Sequence, residues 1–212
     1  MKNILVTGGA GFIGSLTAKE LIRKGFKPII YDKFLNVKQE DLAKILNAIM
    51  IKGDIKDQKL LGEVIDDYKI DAVIHFAAFT DVRESNSNPI KYYENNLIGS
   101  MKLIELIIKR TKKWEGKPIP LLFSSTCSVY GIPEEIPIKE NSLRSPINTY
   151  GNTKFFIEKM LEDYGMAYGL KSISLRYFNA SGASSDNLIG DFKSPGRHLI
   201  ELAFDATFSK NN

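Results

Sequence analysis

Short apolar runs alternate along this chain with longer stretches whose apolar positions recur at helical spacing. The short runs predict strands at Asn3–Thr7, Pro28–Asp32, Ala48–Lys52, Ala72–Phe76, Leu121–Ser124 and Ser172–Leu175. The amphipathic stretches predict helices at Phe12–Lys24, Gln39–Leu46, Gln58–Tyr68, Ile90–Lys109 and Tyr150–Tyr164. Strands that alternate with helices in this way make βαβ units, and such units close into a parallel sheet through right-handed crossovers. The expected fold is α/β, a Rossmann-type doubly wound parallel sheet with helices on both faces, spanning 1–212 as one domain. The segment 132–148 carries Pro133, Pro137 and Pro146 and predicts a long loop of the kind that often serves function.

Composition narrows the picture without directing it. With 29 Lys+Arg against 25 Asp+Glu the net charge is +4, too small to argue for nucleic acid or a membrane surface. The basic run Lys109-Arg110-Thr111-Lys112-Lys113 reads as a solvated helix end, where cations suit the macrodipole. One cysteine, Cys127, allows no intrachain disulfide, and two histidines without a carboxylate cluster give no metal site. No apolar run approaches the ~18 residues of a membrane helix, and the N-terminal run is too short for a signal peptide. A cytoplasmic protein is expected.

Three places carry candidate chemistry. In "VTGGAGFIGS", Gly8, Gly11 and Gly14 stand at the junction of the first strand and first helix. A tight turn asks for the first, close approach of backbone to a pyrophosphate for the second, and close helix–strand packing for the third. The helix N-terminus then offers free amides to phosphates. Asp32 ends the second strand, where a carboxylate takes ribose hydroxyls and repels the extra phosphate of NADP; Lys33 beside it would soften that preference. After the third strand, Asp54 suits an adenine amino group, with Ile55 against the ring.

The second place is Tyr150-x-x-x-Lys154, four apart and so on one helical face. A lysine ammonium there is expected to lower the tyrosine pKa from about 10 and make the phenol a usable acid/base. The third is "LLFSSTCSVYG", a buried strand that turns into a row of hydroxyls from Ser124 to Ser128. At the carboxyl edge of a parallel sheet those hydroxyls face the ligand crevice. His75 reads as a satisfied structural histidine and Cys127 as a half-buried thiol.

Six ordered motifs, "LVTGGAGFIGS", "VIHFAA", "YYENNLIGS", "FSSTCSVYG", "YGNTK" and "LRYFNASGA", resemble those of the UDP-glucose 4-epimerase family within the extended short-chain dehydrogenase/reductase superfamily, from Met1 to about Leu202. The resemblance implies NAD as cofactor and a UDP-sugar as substrate, interconverted between UDP-glucose and UDP-galactose through a 4-keto intermediate. It implies Thr126 as the catalytic hydroxyl, Tyr150 as the base, and Lys154 on the nicotinamide ribose. Phe12, Ile13, Asp32, Asp54, Ile55, Phe76, Ala77, Ala78, Asn95 and Phe178 match cofactor contacts. Asn179 and His198 match positions facing the sugar nucleotide. Ser124 and Ser125 are expected to satisfy nearby backbone.

Related dehydratases carry an Asp-Glu pair after the catalytic Thr and related decarboxylases a glutamate; here Cys127-Ser128 follow, which implies hydride chemistry without elimination. The chain departs from the family at Thr80, where Ser or Lys is common, and at Arg83, where Gly is common. It also lacks the family's C-terminal portion, which builds much of the sugar-nucleotide site. From this we expect NAD binding, a homodimer or larger species joined through uncovered apolar surface such as "LIELAFDATF", and little epimerase turnover. An epimerase for another nucleotide sugar, or a non-catalytic NAD-binding module, is the alternative.

Overall fold

The structure, a computed structural model, describes residues 2–35, 37–113, 118–190, 202–203 and 206–207. Six strands, β1 (Asn3–Thr7), β2 (Lys27–Asp32), β3 (Ile49–Lys52), β4 (Ala72–His75), β5 (Leu121–Thr126) and β6 (Ser172–Tyr177), form one sheet in the order β3-β2-β1-β4-β5-β6. Every neighbouring pair is parallel. Between the strands lie α1 (Phe12–Arg23), α2 (Gln39–Ile45), α3 (Gln58–Asp67), the short α4 (Val82–Ser87) and α5 (Pro89–Tyr92), α6 (Gly99–Lys113) and α7 (Thr149–Tyr168).

Both faces of the sheet are covered, and β2 shows how. Ile29 and Tyr31 enter one apolar cluster with Leu61, Leu103 and Ile157 of α3, α6 and α7. Ile30 enters a second cluster with Ala18 and Leu42 of α1 and α2. Successive side chains of a strand point to opposite faces, so a strand buried on both sides reads as a continuous apolar run. The strand order reverses direction between β1 and β4, and in such sheets the crevice at that point, outside the carboxyl ends, is where ligands bind.

Several expected elements differ from the fold. Strands β5 and β6 each run two residues past their expected ends at Ser124 and Leu175, with Ser125 paired to Arg176 and Thr126 to Tyr177. The ladder is made by backbone, and polar side chains do not end it. The expected helix Ile90–Lys109 is instead α5, a π-helical turn at Tyr93–Ile98, and α6. The extra residue in that turn brings the neighbouring Asn95 and Asn96 to bury side by side.

Candidate active site

The glycine turn is shaped by close approach. Gly8 has φ +70, and a Cβ built on it would lie 2.5 Å from the Ala77 backbone nitrogen. A Cβ on Gly14 would lie 2.3 Å from the Gly8 carbonyl oxygen. Only glycine lets α1 start so near β1 and β4. At Gly11, the exposed N-cap of α1, the only atom of the described residues near an added Cβ is Gly8 O at 3.3 Å. Backbone is thus open to a ligand at the head of α1, with Phe12 and Ile13 half-buried in its first turn.

At the tip of β2 the Asp32 carboxylate accepts two backbone N–H bonds, from Ala10 at 3.0 Å and Phe34 at 2.8 Å. It is therefore held against the glycine turn. Asp54 sits beyond β3, its carboxylate accepting from the Lys56 amide at 2.9 Å and paired with Lys33 at 2.9 Å. Burial opposes the Asp54 charge, but Lys33 and the Lys56 amide outweigh it and hold the carboxyl below the usual range. Ile55 is 3% exposed and packs in the core.

After β4 the chain passes through Phe76, Ala77 and Ala78, all half-buried. Asn96 pins this segment by accepting from the Phe79 amide and donating to the Phe79 carbonyl, both at 2.9 Å. Asn95 donates to Asn96 at 3.0 Å, which fixes the orientation of its amide. His75 is structural, as its place in an apolar strand implied: it bonds Thr7 Oγ1 at 2.6 Å and Ser100 Oγ at 2.7 Å. Burial pushes its pKa down to about 3, so the ring is neutral.

The tip of β5 meets α7 at three consecutive residues. Lys154 Nζ donates to the Ser124 carbonyl at 2.7 Å, Ser125 Oγ donates to Glu158, and the Thr126 hydroxyl acts on the Tyr150 phenol. Thr126 also caps the following turn by accepting from the Ser128 amide at 3.2 Å. Tyr150 and Lys154 are both buried, at 9% and 2% exposure. The expected lowering of the phenol pKa does not occur in this state. Burial pushes Tyr150 up to about 12, with the Thr126 hydrogen bond pulling against it. Lys154 points to the Ser124 carbonyl, 5.9 Å from the Tyr150 ring centroid, and burial pushes it down to about 7. A lysine only partly charged at neutral pH cannot offset the desolvation of a phenolate.

Sequence reasoning missed the groups that hold this corner. Ser125 was expected to bond backbone; it bonds the buried carboxylate of Glu158 instead. Glu158 also accepts from Arg176 at 3.0 and 2.8 Å and from Arg144 at 2.9 Å. Burial works against the Glu158 charge, and these donors more than compensate, holding its pKa low. Arg176 continues to Tyr130 Oη and the Glu140 carbonyl, each at 2.7 Å, so the 132–148 loop is tied in. Glu158 lies four residues after Lys154, and that spacing was the available signal. From the other side, Ser85 Oγ accepts from the Tyr150 amide at 3.1 Å and Asn86 from the Thr149 amide at 3.1 Å. The short α4 that carries them had no apolar periodicity to announce it.

Gly8, Gly11, Gly14, Asp32, Asp54, Asn95, Thr126, Tyr150 and Lys154 thus lie at or beside the carboxyl ends of the strands. Phe178 and Asn179 follow β6 and are exposed, Phe178 at 61%. His198 lies outside the described residues, as does most of the apolar stretch at 199–208. Arg83 is exposed on α4, and Cys127 is half-buried. Among the described residues there is no group of metal-ligating side chains, and no helix is long and apolar enough to cross a membrane.

Comparison with known proteins gives this geometry a context. The model of the NAD dependent epimerase/dehydratase family matches residues 4–203. A UDP-glucose 4-epimerase of Rhizobium meliloti (strain 1021) is 41% identical over 208 residues, covering 98% of this chain and 61% of the relative. Among solved structures, a UDP-glucose 4-epimerase from Brucella ovis in complex with NAD superposes with a TM-score of 0.86 at 44% identity, covering 94% of this chain and 59% of that one. One from Bifidobacterium longum in complex with NAD+ and UDP gives a TM-score of 0.82 at 37% identity, over 90% of this chain and 57% of that one. The chain therefore spans about three fifths of the length of the relatives it matches.

Proposed function

The chain belongs to the NAD dependent epimerase/dehydratase family, and on that premise we propose that its residues 1–212 are the NAD-binding and reacting part of a UDP-glucose 4-epimerase. The observation that carries this reading is the meeting of the β5 tip with α7. It sets Thr126, Tyr150 and Lys154 at one corner of the crevice, with Cys127 and Ser128, not carboxylates, next in the chain.

The residues fit the cofactor. A turn that packs Gly8 against the Ala77 backbone, open backbone at Gly11, and a fixed carboxylate at Asp32 suit the pyrophosphate and ribose of a dinucleotide. When bound, NAD supplies the hydride acceptor and donor, together with a positive ring charge that favours a nearby phenolate.

The chain's own residues handle the proton. Tyr150 first gives up its own proton to solvent beside the bound cofactor; the phenolate Oη then takes the proton of the sugar 4-hydroxyl as the carbon becomes a ketone, and returns it when the alcohol re-forms with the opposite configuration. Thr126 donates a hydrogen bond to the reacting oxygen, and Lys154 holds α7 to the strand tip through Ser124. No proton is lost over the cycle, which makes the net change an isomerisation. A UDP-sugar substrate and a homodimer are the partners we assign.

Native mass spectrometry of the purified protein tests cofactor and substrate together: NAD and a UDP-sugar are the expected bound species. Tyr150→Phe is expected to keep NAD bound and to abolish formation of reduced nicotinamide when UDP-glucose or UDP-galactose is added. A Phe variant that reduces the nicotinamide at the parental rate would remove Tyr150 from the chemistry.

A further inference from the structure

Lys33 stands directly after the Asp32 carboxylate at the tip of β2. In dinucleotide-binding sheets the acid at this position takes the ribose 2′-hydroxyl, and a nearby cation is what admits a 2′-phosphate. From its place in the chain alone, Lys33 would weaken discrimination against NADP. The structure gives the ammonium another occupation. Lys33 Nζ pairs with Asp54 Oδ2 at 2.9 Å and donates to Asn95 Oδ1 at 3.1 Å, and it lies 5.8 Å from the Phe79 ring centroid.

Neither acceptor is loosely placed. The other Asp54 oxygen receives the Lys56 amide, and the Tyr31 hydroxyl donates to the Asp54 carbonyl at 2.9 Å. Asn95 spends its NH2 on Asn96, which leaves its oxygen for the lysine. Asn96 is itself fully buried and bonded at both ends to Phe79. The β2 tip is left presenting a carboxylate fixed by two amides, with its neighbouring cation drawn across to β3 and to the π-helical turn.

We propose that Asp54 and Asn95 hold Lys33 away from the ribose 2′-position and so make the site selective for NAD over NADP. A 2′-phosphate entering this site must compete with the Asp54 carboxylate for the Lys33 ammonium while lying beside the Asp32 carboxylate. Lys33 is in this view a specificity residue whose effect is decided by its partners.

The inference rests on the reading that the chain binds NAD, and its test separates the two. Dissociation constants for NAD and NADP are measured by calorimetry on the parent, Lys33→Met, Asp54→Asn, and the double variant. The ratio of the two constants is the readout, because any contact of Asp54 with adenine is common to both dinucleotides and cancels. The parent is expected to favour NAD. Lys33→Met is expected to leave the ratio within about twofold, because its charge is already engaged. Asp54→Asn is expected to improve NADP relative to NAD by about tenfold, the size of one charge-assisted contact, and the double variant to lose that gain. Asn95→Ala releases the other tether and is expected to shift the ratio the same way by less, so the idea stays exposed if Asp54→Asn does not fold.

A tenfold change in Lys33→Met alone would overturn the proposal, since it would mean the ammonium is already available. So would an unchanged ratio in both Asp54→Asn and Asn95→Ala, or a gain that survives loss of the lysine. A parent that binds NAD while the variants fail these expectations sinks the lock alone. A parent that binds neither dinucleotide sinks the functional reading with it.

Discussion

Where the glycine turn meets β4, backbone lies against backbone; where β5 meets α7, a buried carboxylate lies among arginines and a serine. At the first junction a single added carbon on Gly8 or Gly14 would come within 2.5 or 2.3 Å of a backbone atom. At the second, Glu158 gathers Ser125, Arg144 and Arg176 from β5, the 132–148 loop and β6. The first arrangement depends on shape and carries no titratable group of its own. The second depends on charge, because a carboxylate that loses its donors, or donors that lose their carboxylate, keep their desolvation cost without its compensation. The two ends of one crevice should therefore fail under different perturbations.

The charged corner offers the largest expected effect. Glu158→Ala strands two arginines and Ser125 at a site where the Glu158 side chain is 2% exposed, and is expected to cost about 3–5 kcal/mol of stability. Denaturant unfolding measures it. A loss under about 1 kcal/mol, the size of an exposed pair, would show that the network is solvated and erase the contrast. Gly14→Ala comes next. A methyl pressed into the Gly8 carbonyl is expected to cost about 1–3 kcal/mol and to weaken dinucleotide binding, with unfolding and calorimetry as the readouts.

The most discriminating effect is on pH. Lys154 titrates near 7 in the fold against 10.5 in an open chain. Between those values the unfolded chain binds the extra proton, so stability rises with pH through that window, with a slope of at most about 1.4 kcal/mol per pH unit. Above pH 10 the trend reverses for Tyr150, whose phenol keeps its proton up to about 12 in the fold. Lys154→Met is expected to flatten the rise between pH 7 and 10, while Gly14→Ala lowers the whole curve and leaves its slope alone. Parallel curves for the parent and Lys154→Met would mean that the lysine is not buried as a charge.

Much of the glycine-turn end was legible in the chain because it is local. A glycine turn between a strand and a helix needs only neighbours in sequence, and Asp32 is placed by the end of the strand it closes. The far end of the crevice showed in the chain its helical spacing of Tyr150 and Lys154 and its hydroxyl-rich strand tip, but not its support. Ser125 reaches Glu158 across 33 positions and the Tyr150 amide reaches Ser85 across 65, distances over which no periodicity carries information. The π-helical turn was hidden for a related reason. Its apolar pattern continues that of α6, and only the burial of Asn95 and Asn96 against the segment after β4 distinguishes it.

Sequence by itself determined the alternation of strands and helices, the turn that only glycine can make, the acid at the tip of β2, and the helical spacing of tyrosine and lysine. These are properties of single elements and their junctions, set by steric limits on backbone and by the periodicity of side chains. Tertiary structure alone decided that Tyr150 is a protonated phenol, that Lys154 is near its midpoint at neutral pH, that Ser125 serves Glu158, and that Lys33 faces Asp54 and Asn95. A pKa follows from how much water the whole fold removes and which charges it brings close, and a hydrogen-bond partner from which distant strands and helices converge. Neither quantity exists until the sheet has closed.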